Sequence, residues 1–395
     1  MKITSVEIIP IDQDHKGRLI FSSGPTPASS EFVVVRIKTD EDLEGIGSAC
    51  SFTPSPLLAR GCSREGAVYL LKEMAKLLIG KNPMQLSLLV ESLEKSIGGW
   101  FCENWYLLSH LDTALYDLKG KILGLPVYEL LGGLQREQIP LEWIESFLPT
   151  PEEVAEEAKR YIDAGFKAVK VHVNNDPANA EARVRAVRKL IGDDVPMAID
   201  MGMQYTAMDA ARLLNRLDRE YNLNFAEQPL HPYDTAGMVR LRAQTSVPLT
   251  ADHAGMSLSQ AYEYMKLNVF DNFHCLLTRV GGFARSVRFM DMMDTARLNY
   301  QICNEGATIA GTAAAHLAVA RRERGRYLDE LGLYLYVHGT TDSKSIKDDI
   351  VTEQSVTIEN GMLAAPPKGP GLGLELDEDM MKKYAAAGLE KVVVC

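Results

Sequence analysis

Three carboxylates carry the chemical signal of this chain. Asp200, Glu227 and Asp252 each close a short apolar run: Val195-Pro-Met-Ala-Ile-Asp, Leu223-Asn-Phe-Ala-Glu and Val247-Pro-Leu-Thr-Ala-Asp. They recur at intervals of about 26 residues, what one strand, one helix and two short loops occupy. In a β/α barrel such strand ends converge on one face, so acids far apart in sequence meet around one point. Clustered carboxylates repel one another unless a cation neutralises them, and an all-oxygen ligand set favours Mg²⁺, one ion per active site. Lys170 and His172 stand two apart on the strand before Asp200, so both point to the barrel interior. A metal beside titratable groups can stabilise developing negative charge while a side chain within ~3 Å moves a proton.

The elements that must position these residues are legible along the chain. Residues 1 to about 50 read as a strand meander, interrupted from His15 to Ser30 by a polar loop rich in Gly, Pro and Ser. A 3.6-residue apolar period then runs from about Ser63 to Leu131, for example Val68, Leu71, Met74, Leu77 and Leu78. From Glu152 onward, helices of 10–15 residues alternate with short apolar strands, the last of them Tyr300–Asn304, which means a parallel sheet closed into a barrel. The expected fold is therefore α/β, a modified TIM barrel of (β/α)7β type with an α+β capping domain. Residues 1–130 form the cap, 131–350 the catalytic barrel, and 351–395 a tail that returns to the cap.

Several segments together resemble the enolase superfamily, in its mandelate racemase and muconate-lactonizing branch. They are Ala114-Leu-Tyr-Asp-Leu-Lys-Gly-Lys, Gly124-Leu-Pro-Val-Tyr-Glu-Leu-Leu-Gly-Gly, Gly165-Phe-Lys-Ala-Val-Lys-Val-His, Ala226-Glu-Gln-Pro-Leu, Ala251-Asp-His, Arg279-Val-Gly-Gly and Gly369-Pro-Gly-Leu-Gly. The resemblance implies that Asp200, Glu227 and Asp252 bind the Mg²⁺ that holds a substrate carboxylate while a barrel base removes its α-proton. That base position is His172, where the family usually has the second lysine of Lys-x-Lys. Histidine titrates near neutrality unperturbed and can serve there, with Lys170 cationic beside it. A homo-oligomer is implied by the resemblance alone.

The opposite side of the site departs from the family. A lysine five residues before Gly281-Gly282, or a His on strand seven paired with an Asp on strand six, usually supplies the second acid or base. This chain has Leu276 at the lysine position, His274 two residues earlier and Ile302-Cys-Asn-Glu-Gly at the end of strand seven. Glu305 is the first replacement, as a general acid if burial raises its pKa, and His253 the second. β-Elimination of water can use one base, so the asymmetry leans towards dehydration of a hydroxy or sugar acid. A racemase, epimerase or cycloisomerase using Glu305 or His253 is the alternative. A metal-binding pseudoenzyme or scaffold is a third reading. Asn104, Gln204, Tyr205 and the 15–30 loop are candidates for substrate hydroxyl contacts, and Gly281-Gly282 for cradling an anion.

Composition excludes other classes. A formal charge of −11 without a basic run argues against nucleic acid. No apolar run approaches the ~20 residues that span a membrane. Six cysteines without a CxxC pair fit free thiols in a reducing cytosol, and the alternating N-terminal strand lacks a signal-peptide core. These point to a cytoplasmic enzyme of a small-molecule carboxylate.

Overall fold

The computed structural model describes residues 1–14, 16–17, 20–21, 24–25, 29–49, 63–97, 104–304, 306–322 and 325–395. Glu305 and parts of the 15–30 loop lie outside the described residues. Strands β1 (Ile3–Asp14) and β2 (Ser29–Thr39) pair antiparallel, and β3 (Glu44–Ser48) extends the sheet beyond β2. Strand alternation turns Val6, Ile8, Val33, Val35 and Ile37 to one face. They pack against helices α1 (Arg64–Ala75), α2 (Leu86–Ile97) and α3 (Trp105–Leu123), which return Leu71, Leu89, Leu107 and Leu111 to the same core.

The barrel follows in strict alternation. Its elements are β4 (Glu142–Ile144), α4 (Pro151–Asp163), β5 (Ala168–His172), α5 (Pro177–Ile191), β6 (Met197–Asp200), α6 (Ala207–Tyr221) and β7 (Leu223–Glu227). Then come α7 (Thr235–Arg242), β8 (Leu249–Ala251), α8 (Leu258–Leu267), β9 (Asn272–Leu276), α9 (Phe283–Ala296), β10 (Asn299–Cys303) and α10 (Thr308–Val319). The seven strands lie parallel in chain order. Single bridges from Leu141 to Asp329 and from Cys303 to Glu330 join the two ends of the curled sheet. Oxygens of Thr150, Asp176, Thr206, Asp234 and Ser257 accept the first free helical N–H groups, so the sequence itself marks where the barrel helices α4 to α8 begin. Helix α7 ends at Arg242. The Arg242 guanidinium turns back onto the carbonyls of Thr245 and Val247 and onto Asp271.

The last segment serves both units. A hairpin of Thr357–Glu359 and Met362–Ala365 pairs with Ile139–Pro140 at the entry to the barrel. Strand β11 (Val392–Val394) then joins β1, with Val394 opposite Val6. Asp117 of α3 fastens the joint. Its fully buried carboxylate accepts the N–H groups of Ile46 at 2.8 Å and Leu372 at 2.7 Å, with Lys121 at 2.8 Å. Among the described residues no helix is long and apolar enough to cross a membrane.

Candidate active site

The ladder brings the expected acids together. Asp200 pairs with Glu227 across β6 and β7, and Glu227 with Thr250, two residues before Asp252. Glu227, Asp252 and His274 each bring one ligand atom within 4.8 Å of the others. Asp200 borders that group. Its Oδ1 accepts the Gly202 N–H at 2.8 Å, and its Oδ2 lies 3.2 Å from His172 Nε2. Asp252 is held by Arg279 at 2.8 Å and His253 at 2.6 Å. Burial, then the negative charges of Asp200 and Asp252, push Glu227 up to about 7. Burial opposes ionisation of Asp200 as well, yet His172 and Lys170 bring it down to about 2.

The proton-bearing pair stands beside them. Lys170 is 1% exposed, with its ammonium on Glu227 and 2.5 Å from Glu330. Burial disfavours its charge, but Glu227, Glu330, Glu142 and Asp200 outweigh it and hold the ammonium well above its ordinary range. His172 donates from Nδ1 to the Glu145 carbonyl at 2.5 Å, which aims Nε2 at Asp200. Burial lowers its basicity, and the Asp200 carboxylate raises it further than burial lowers it.

Three inward residues were missed by the sequence reading. Glu330 accepts the Lys170 ammonium, and Glu142, 1% exposed, lies against Glu330. The repeat itself points to Glu330, an acid about one interval beyond the end of strand seven. Cys303 had been counted only as a free thiol. It shares a cluster with His274 and Glu330 in which ligand atoms again lie within 4.8 Å.

The remaining candidates are placed as follows. His253 opens a 3₁₀ turn and is tied to Asp252. Glu305 lies outside the described residues. Leu276 is buried in the strand-six position. His274 is 3% exposed, a layer deeper as expected, but its neighbours are Gln301 and the carboxylates of Glu227, Asp252 and Glu330. Asn304 spends its amide on Gly306 within its own turn. Tyr205 donates its hydroxyl to the Asn174 carbonyl. The two glycine N–H groups both turn to the Leu277 carbonyl, and it is the next N–H, that of Phe283, which Asp112 of α3 accepts, with burial pushing that carboxyl up to about 8. A Cβ on Gly282, whose φ is +92°, would come 2.2 Å from Asp112 Oδ1.

Comparison with known proteins now decides the family. Residues 153–380 match the model of the enolase C-terminal domain-like family, and residues 13–132 that of the mandelate racemase/muconate lactonizing enzyme N-terminal domain. The chain belongs to the mandelate racemase/muconate lactonizing enzyme branch of the enolase superfamily. Similar branch members include the N-succinyl-L-Arg/Lys racemase of Bacillus cereus, 26% identical over 97% of this chain and 98% of that protein. The chloromuconate cycloisomerase of Pseudomonas putida is 25% identical over 98% and 100%. A crystal structure of a mandelate racemase/muconate lactonizing family protein from Azoarcus superposes with a TM-score of 0.90, at 30% identity and full coverage of both chains.

Members of this superfamily use Mg²⁺, and the residues present fit it. Buried Glu227 and Asp252 come together with the partly exposed Asp200 at their border, and Glu227 Oε2 is enclosed without a hydrogen bond, against the Lys170 ammonium. That is the state of an acid site whose charge calls for a hard cation.

Proposed function

We propose that this enzyme is an isomerase of the racemase or epimerase type, acting on a carboxylate whose α-carbon carries the exchanged proton. Asp200, Glu227 and Asp252 would hold one Mg²⁺, which supplies Lewis-acid stabilisation of the enediolate. His172 takes the α-proton at Nε2, while Nδ1 stays fixed on the Glu145 carbonyl. Asp200, the partner of His172 Nε2, would be one of the ion's ligands. Lys170 remains an ammonium and faces the growing negative charge on the substrate oxygens.

The observation that carries this reading is the 3.2 Å approach of His172 Nε2 to Asp200. It sets a proton-carrying imidazole directly beside the carboxylates that would hold the cation. The relatives turn the reaction from dehydration towards isomerisation, since they are named as a racemase and a cycloisomerase, with an L-Ala-D/L-Glu epimerase of Bacillus subtilis at 26% identity. Substrates with an acylated α-nitrogen, N-succinyl amino acids and dipeptides, are therefore the first to try. Cycloisomerisation is the second reading, favoured by Leu276: an aliphatic side chain on the far wall suits a reaction with one proton carrier.

The test is proton NMR in D₂O with Mg²⁺ over N-succinyl amino acids, dipeptides, muconates and sugar acids, with Asp200→Asn as control. Deuterium at the α-position with appearance of the opposite configuration is the expected result. A lactone or keto acid formed without inversion would replace it with cycloisomerisation or dehydration. The Asp200→Asn protein should show neither product nor exchange.

A further inference from the structure

We propose that Cys303 is the proton carrier for the substrate face opposite His172. The inference rests on the racemase or epimerase reading and deepens it, because inversion at carbon needs a group on each side of the enediolate plane. Strand geometry sets the direction of the side chain. Gln301 reaches the interior, where its Oε1 accepts from Asn272 at 2.6 Å and meets His274 Nε2 at 3.2 Å. Cys303 is two residues further along the same strand, so it points the same way, nearer the mouth. It is paired with Leu276 on one side and Glu330 on the other. Its sulfur, a His274 nitrogen and a Glu330 oxygen lie within 4.8 Å of one another, and Glu330 touches Lys170. The thiol thus stands on the β9–β10 side of the interior, with Glu330 between it and Lys170 on β5.

Competing donors on that side are committed elsewhere among the described residues. Leu276 has no proton to give. Asn304 is hydrogen-bonded within its turn. His253 is tied to Asp252, and His274 stands among the carboxylates beneath. The Cys303 S–H has only a weak contact with the Gln301 carbonyl, at 3.8 Å. Burial, followed by the charge of Glu330, keeps the thiol protonated. A protonated thiol is a donor rather than a nucleophile. In one turnover the α-C–H bond breaks, its proton passing to His172 and its electron pair to the enediolate. The S–H bond then breaks as that pair forms a new C–H bond on the other face. Imidazolium and thiolate remain, and exchange with solvent restores imidazole and thiol. From the opposite enantiomer the same steps run in reverse, so the thiolate form of Cys303 is the base.

The experiment uses Cys303→Ala and Cys303→Ser in the full chain, with each enantiomer of the first substrate inverted by the unmodified enzyme in D₂O. Thermal melting and Mg²⁺ titration calorimetry confirm that each variant folds and binds the ion. Inversion should fall at least about 100-fold, within the usual contribution of a positioned proton carrier. Exchange should persist within about 3-fold for the enantiomer whose proton faces His172, with retained configuration. It should vanish for the other enantiomer. Inversion at the unmodified rate in Cys303→Ala, or an equal loss of exchange from both enantiomers, overturns the role of Cys303 and leaves the isomerase reading standing. If the unmodified enzyme forms product from the whole panel without inversion, the isomerase reading falls and this one with it.

Discussion

Glu157 shows how a single buried acid records its surroundings. It accepts the Ser146 N–H at 2.7 Å beside the strand end that holds His172, and burial pushes it up to about 7 despite Ser146 and Arg160. A carboxyl raised above its unfolded value stabilises the fold at low pH, and that contribution is lost as pH rises from about 4.5 through about 7. Melting followed between pH 5 and 8 should therefore fall more steeply for the unmodified protein than for Glu157→Gln. The variant should be level at pH 5 and more stable by about 2 kcal/mol at pH 8. At this scale the meeting of Asp200, Glu227, Asp252, Lys170 and His172 was legible because they sit at or near the ends of apolar runs with a fixed parity. Glu330 and Cys303 were not, since strand seven was read for its last polar residues and strand eight contributes only a bridge at Asp329 and Glu330. The dehydration expected from the sequence rested on the apparent lack of an opposing proton carrier. That argument weighed histidine, lysine and carboxylate, and a thiol was not among them.

Between elements, the joints are carried by a few carboxylates rather than by apolar contact alone. Asp117 joins α3, the strand at Ile46 and the tail at Leu372 with no solvent exposure. Asp117→Ala would strand two buried N–H groups and the Lys121 ammonium at 17% exposure. We expect a loss of about 3–5 kcal/mol, read as a lower urea midpoint, and a much smaller loss for Lys121→Ala. Asp112 does the same between α3 and the start of α9, and Gly282 leaves room for it. The motifs that carried the family resemblance in this region are thus largely fasteners. Their spacing could be read from the sequence, but their purpose could not, because each partner lies far along the chain. The alternation of strand and helix was readable because period and capping residues agree segment by segment.

For the molecule as a whole, one core lies between the cap sheet and its helices, and a second fills the barrel and takes in Ile11, Phe32, Val34 and Ile46 from the other face of that sheet. Strand β11 makes the edge of the cap sheet by pairing with β1 from Val6 to Ile8. Truncation after Lys391 should speed amide exchange in residues 5–9 and lower the cap's stability, while barrel amides stay protected. Hydrogen exchange read by mass spectrometry checks it, and equal deprotection of both units would show that they unfold as one. The same pairing has a meaning for biosynthesis. Strand β1 leaves the ribosome long before β11 and keeps an open edge until that strand is made. The barrel strands all emerge in that interval, in the order in which they pair. The newborn enzyme would therefore hold its reactive side chains in place before the sheet above them is complete, and its nascent first strand is where a chaperone has most to shield.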